Sequence, residues 1–131
     1  ADGYEISRLS SFCGREMRHS GWYPDYVLRL FRRDSGKFSD DLVHERVLVT
    51  GTIDKLQGLL LHESFRTLEQ VLAKTNHYST ASAQMLHQKN RKASLLTAVG
   101  HGLWAFFRTY FIRAGFLDGR EGFMLAVATA E

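Results

Sequence analysis

The chain has 131 residues, of which 44% are hydrophobic and 24% charged, and a formal net charge of +3. That length accommodates one domain with a real core and excludes two ordinary ones. A lone cysteine, Cys13, excludes an internal disulfide and favours a reducing compartment, and no uncharged apolar run approaches the roughly 18 residues a membrane span needs.

The sequence opens Ala1-Asp2-Gly3, without Met or a signal-like segment, and passes at once into a strand-like run, as a cut through a longer protein would. Residues 4–12 read as extended. Residues 14–24 form a polar loop carrying Gly21, Trp22 and the only proline, Pro24. Tyr26-Val27-Leu28-Arg29-Leu30-Phe31 reads as a short strand, and Asp34-Ser35-Gly36-Lys37 as a turn by its residue chemistry. Asp40-Asp41 then offers a carboxylate pair of the type that can hold a divalent cation.

Two histidine–glutamate dipeptides follow, His44-Glu45 and His62-Glu63. Between them lie a β-branched run, 46–50, a turn-like Gly51-Thr52-Ile53-Asp54 and a second apolar run, 56–61, which together read as a hairpin. A reversal near Ile53 would set His44 opposite His62, with Cβ atoms about 5 Å apart, near enough to share a metal, a water or a phosphate oxygen. A slip of one residue would send one ring to the other face.

The second half reads as helical. Phe65, Leu68, Val71 and Leu72 recur at spacings of three and four, with Ser64 as an available cap and Asn76-His77-Tyr78-Ser79-Thr80 as a potential break. A further helix over 93–114 carries Leu96, Val99, Leu103, Phe106, Phe107 and Tyr110 on its apolar side and ends at Gly115; a last one runs over 119–130. No acidic residue occurs from Gln70 to Leu117, whereas Lys74, Lys89, Arg91, Lys92, Arg108 and Arg113 do. Such a stretch suits an anionic surface. The rings of Trp104, Phe106, Phe107, Tyr110 and Phe111, mixed with these cations, suit a helix lying at a bilayer interface.

The run Gly21-Trp22-Tyr23-Pro24-Asp25-Tyr26-Val27-Leu28-Arg29-Leu30-Phe31-Arg32-Arg33, then Val43-His44-Glu45, then Leu61-His62-Glu63-Ser64-Phe65-Arg66-Thr67-Leu68, resembles the C-terminal half of family 2 glycosyltransferases. It is most similar to the subgroup that adds glucose to the inner core of bacterial lipopolysaccharide. Lys74-Thr75-Asn76-His77-Tyr78-Ser79 and Phe107-Arg108-Thr109-Tyr110-Phe111-Ile112-Arg113-Ala114-Gly115-Phe116-Leu117-Asp118-Gly119 agree with the same pattern, so the likeness covers nearly the whole chain.

The resemblance implies an α+β architecture, a short antiparallel β segment followed by three or four helices. This would be the C-terminal part of a GT-A fold lacking its nucleotide-binding half, with an acceptor-side β region over 1–63 and a helical, membrane-facing region over 64–131. By position in the Val-His-Glu motif Glu45 would be the base that deprotonates the acceptor hydroxyl. His62 would act as a metal ligand or donor to the diphosphate, with His44, Arg29 and Lys74 as further substrate-binding groups. Trp22 and Asp25 would hold the acceptor sugar, by stacking and by hydrogen bonds to hydroxyls.

The implied partners are a nucleotide-sugar donor, UDP-glucose, a lipopolysaccharide core acceptor, a divalent cation (Mg or Mn) and an anionic membrane surface, without nucleic acid. The expected location is peripheral, on the inner face of the cytoplasmic membrane, and a fragment of this kind should not catalyse transfer unaided. A sheet cut through its middle would expose a strand edge and open a route to a homodimer. Two other classes compete: a noncatalytic basic helical module gripping anionic lipid or nucleic acid, and a small metallohydrolase built on His44, Glu45 and His62.

Overall fold

The computed structural model describes residues 1–40 and 45–131. Its architecture is α+β. Among the described residues six strands come first, β1 (Gly3–Phe12), β2 (Arg15–Glu16), β3 (Asp25–Phe31), β4 (Gly36–Phe38), β5 (Val47–Val49) and β6 (Ile53–Phe65). Three α-helices follow, α1 (Leu68–Gln88), α2 (Leu95–Phe107) and α3 (Gly119–Ala130). The chain divides into two units, Ala1–Leu9 with Pro24–His62, and Ser10–Tyr23 with Glu63–Glu131.

In the first unit β3 pairs antiparallel with β1, from Gly3 opposite Phe31 to Arg8 opposite Asp25. Arg8 closes that register from the side: its guanidinium meets the Asp25 carboxylate at 2.6 Å. The hairpin expected between the two His-Glu dipeptides does not form. β5 pairs instead with β4, Gly36 opposite Val49, while β6 pairs with β1. The cause is a set of longer-range partners: Thr50 donates its N–H to the Ser35 carbonyl, and the Thr52 carbonyl accepts from Asp2 and Gly3. The Asp2 carboxylate in turn accepts from the Thr52 N–H at 3.0 Å. These bonds tie the turn-like segment back to the N-terminal strand, so the chain leaves β5 for another sheet rather than folding onto it.

In the second unit the end of β1 turns tightly into β2 through Cys13 and Gly14, both with positive φ (50° and 86°). Two left-handed residues between antiparallel strands make a turn whose twist matches that of the strands. Phe12 and Met17, both fully buried, pack with Val71 of α1 and Leu125 of α3, and Trp22 and Phe65 lie against them. Burial of a side chain of this size contributes on the order of 2 kcal/mol, and here it fastens the β1–β2 turn to two helices.

α1 starts later than expected. Ser64 lies within β6, and the cap is Thr67, whose extended backbone lets its Oγ1 accept from the Gln70 N–H, while the Gln70 side-chain oxygen accepts from the Arg66 N–H. Ser or Thr followed three positions later by Gln is a reciprocal capping pattern. The helix then runs unbroken through 76–80, where the Ser79 and Thr80 hydroxyls donate back to the Asn76 carbonyl.

The helix expected over 93–114 is shorter and more complex. Ser94 caps α2, which gives way to one wide π-helical turn (Arg108–Ile112) and a 3-10 turn (Gly115–Asp118). The stop residue is Ala114, left-handed at φ 55°, not Gly115; a β-carbon there costs about 1–2 kcal/mol. No residue of α2 is fully buried, and Leu96 and Leu103 on the expected apolar side are largely exposed. Only toward its end do the rings of Phe106 and Tyr110 stack, 5.4 Å apart, and meet Phe123 of α3.

Candidate active site

Three of the residues expected to serve the reaction lie on strands of the first unit. Asp25 opens β3, where its Oδ2 takes both contacts from Arg8. Arg29, exposed on the same strand, donates to the neighbouring Leu28 carbonyl. His62 is exposed near the end of β6. Glu45, in the same unit, is exposed on the approach to β5. The residue after it is held firmly: the Arg46 N–H donates to the Ser39 Oγ at 3.0 Å, and the Arg46 carbonyl accepts from the Ser39 N–H at 2.7 Å. His44 and Asp41 lie outside the described residues. β5 and β6 belong to different sheets and do not pair with one another.

Trp22 and Lys74 belong to the second unit, and a chain of rings joins them. Trp22 meets Phe12 edge-on, with centroids 5.8 Å apart, Phe12 meets Phe65 at 6.1 Å, and the Lys74 ammonium lies 5.0 Å above the Phe65 ring and 5.6 Å from that of Tyr78. A cation over the face of a ring is attracted by its quadrupole. Beside these residues opens a cavity of about 780 Å³, floored by Phe12, Phe65, Val71 and Leu125 and edged by Lys74 and Tyr78.

The second unit also holds a polar cluster that the sequence reading passed over. Asp118, only 2% exposed, takes three contacts from one short segment: the His19 N–H at 3.1 Å and the Ser20 hydroxyl at 2.9 Å on Oδ2, and His19 Nδ1 at 3.1 Å on Oδ1. An ionised carboxyl is an acceptor only, and opposite one the His19 ring would donate from Nδ1. The segment is a tight turn, closed by the Trp22 N–H donating to the His19 carbonyl at 3.2 Å, with Ser20 and Gly21 at φ 65° and 79°. A left-handed serine costs about 1–2 kcal/mol, and its bonds to Asp118 and, through its own N–H, to the Arg113 carbonyl at 2.8 Å offset that cost. The signal in the sequence was the pair Ser20-Gly21, which suits a turn with two positive φ angles; nothing local pointed to Asp118 as its partner.

Among the described residues, no group of three or more His, Cys, Asp or Glu side chains is placed to hold a metal.

Comparison with known proteins places this geometry in context. The chain is 29% identical over 136 residues to an uncharacterized glycosyltransferase of Rickettsia prowazekii, covering 97% of this chain and 47% of that protein. A counterpart from Rickettsia typhi, also named an uncharacterized glycosyltransferase, is 25% identical with the same coverage. The lipopolysaccharide core biosynthesis glycosyltransferase LpsC of Rhizobium meliloti is 26% identical, over 98% of this chain and 48% of its own length. The chain thus spans about half the length of these relatives, and along nearly its whole extent it resembles glycosyltransferases, one of them from lipopolysaccharide assembly. No family model matches the chain, and no solved structure matches it.

Proposed function

We propose that this chain is the C-terminal portion of an inverting glycosyltransferase of the family 2, GT-A type. In this reading it moves glucose from UDP-glucose to a lipopolysaccharide core acceptor. The observation that carries the reading is the similarity, over 97–98% of the chain, to proteins named as glycosyltransferases, one of lipopolysaccharide core biosynthesis.

The chemistry follows from what inversion requires. A single displacement at the anomeric carbon needs a carboxylate to take the proton from the attacking hydroxyl, and Glu45 is assigned that role. Glu45 is exposed on the approach to β5, and the two Ser39–Arg46 hydrogen bonds fix the backbone of the residue that follows it. Trp22 and Asp25 are assigned to the acceptor sugar; His44, Arg29 and Lys74 are assigned as substrate-binding groups. The departing diphosphate needs positive charge. A Mg or Mn ion would supply it, with His62 offering one imidazole and the remaining ligands coming from outside the described residues.

The helical half is assigned to the anionic face of the cytoplasmic membrane. Leu95 and Leu96 are 83% and 85% exposed at the start of α2, directly after Lys89, Arg91 and Lys92. No described helix is long and apolar enough to cross a membrane. Apolar side chains beside cations match a helix lying at headgroup depth.

The test is product analysis. The full-length protein, given UDP-glucose and a lipopolysaccharide core acceptor, should form a β-linked glucoside from the α-linked donor, read from the anomeric proton by NMR. An α-linked product, or hydrolysis of the donor without transfer, would overturn the reading.

A further inference from the structure

We infer that Asp118 is a positioning residue for the acceptor sugar: through His19 and Ser20 its carboxylate locks the turn that presents Trp22. The inference rests on the assignment of Trp22 to the acceptor.

A buried carboxylate is costly unless its lone pairs are met. Among the described residues the hydrogen bonds of the Asp118 carboxylate all go to this one turn, two on Oδ2 and one on Oδ1. The turn is four residues long, His19 to Trp22, so fixing its first two residues fixes the direction in which the fourth leaves. Trp22 also meets Phe12 in an edge-type contact. The second unit also makes room for the clamp with small residues. A β-carbon on Gly115 would meet the Ser20 hydroxyl at 3.1 Å, and one on Gly122 would strike the Gly115 carbonyl and the Asp118 β-carbon. Glycine at both places lets the carboxylate, the 3-10 turn and α3 close on the turn. A ring that stacks on a sugar must be held in orientation before the sugar arrives, or the ordering is charged against binding.

The chemistry of the clamp separates two substitutions. In Asp118→Asn the amide oxygen can still accept from the His19 N–H and the Ser20 hydroxyl, and its NH2 can donate to His19 Nδ1 once that ring carries its proton on Nε2 instead. Asp118→Ala leaves all three groups without a partner.

Two readouts test this in the full-length protein. The first is independent of activity: with Trp104→Phe as background, Trp22 is the only tryptophan of the present chain, and its acrylamide quenching, restricted to this indole by selective labelling where other tryptophans exist, reports how well it is held. Quenching should rise about twofold in Asp118→Ala and stay near the parent value in Asp118→Asn. The second is kinetic: KM for the acceptor should rise at least about tenfold in Asp118→Ala, with KM for UDP-glucose unchanged, and be restored to within about threefold in Asp118→Asn. Ser20→Ala removes one bond and leaves the carboxylate in place, so it should move both readouts the same way by a smaller factor, and it decides the matter if Asp118→Ala does not fold. Unchanged quenching in Asp118→Ala and Ser20→Ala would overturn the clamp even if the protein proves to be a glycosyltransferase. Raised quenching with an unchanged acceptor KM would overturn the link to the acceptor. A protein that transfers no sugar would refute the proposed function while the quenching still decides the clamp.

Discussion

Gly122 sits inside α3, where helix propensity alone predicts that alanine would stabilise by about 1 kcal/mol. The structure predicts the opposite sign. A β-carbon there would overlap the Gly115 carbonyl oxygen and come within 2.9 Å of the Asp118 β-carbon, and the first obstacle is backbone, not a flexible side chain. Carbon atoms pack comfortably at about 3.5–4.0 Å, and the carbonyl oxygen is closer still, so α3 would have to retreat by more than about 1 Å from the 3-10 turn. Overpacking of this kind costs up to about 3 kcal/mol, which after the propensity gain leaves Gly122→Ala destabilised by about 2 kcal/mol. For a chain of this size that corresponds to a Tm lower by about 6–10 °C. Thermal unfolding of the two proteins followed by circular dichroism measures it. A Tm equal to or above the parent's would refute the close approach of α3 to Gly115.

Two further outcomes follow from charge and burial. Burial, and secondarily the Glu121 carboxylate, hold the Cys13 thiol above its ordinary titration range. Less of it is thiolate near neutral pH than in a free cysteine, so iodoacetamide should react more slowly, the rate should keep climbing above pH 9, and Glu121→Gln should accelerate it; a rate equal to that of free cysteine would contradict this. Reversing Lys89, Arg91 and Lys92 to Glu removes three cations worth about 1 kcal/mol each near an anionic bilayer, so binding to phosphatidylglycerol vesicles should weaken at least about 100-fold. Unchanged cosedimentation would contradict the membrane-facing assignment.

What was legible in the sequence was mostly local. Residues 4–12 and 26–31 read as strands and 119–130 as a helix, in agreement with β1, β3 and α3, because each pattern is written in consecutive residues. The hairpin failed because alternation identifies a strand without naming its partner: Asp2 and Gly3 reach Thr52 across about 50 positions, and that contact sends β6 to β1. The Ser64 cap failed for a similar reason, since pairing carries β6 two residues past His62-Glu63 and leaves Thr67 to start the helix. The aromatic content of α2 was plain, yet periodicity could not say whether its face was covered, and the structure leaves Leu95 and Leu96 open. Asp118 escaped notice because an acid before a helix reads as a cap. It makes no such bond, and its true partners, His19 and Ser20, lie 99 and 98 positions away.

The central claim is that Glu45 removes the proton from the acceptor hydroxyl. Its most direct test is Glu45→Gln in the full-length protein, an exchange that keeps the side chain's size and removes its basicity. The account predicts a fall in kcat of about 100- to 10,000-fold, the usual contribution of a general base, with UDP-glucose binding by calorimetry unchanged. Transfer within tenfold of the parent rate would contradict it.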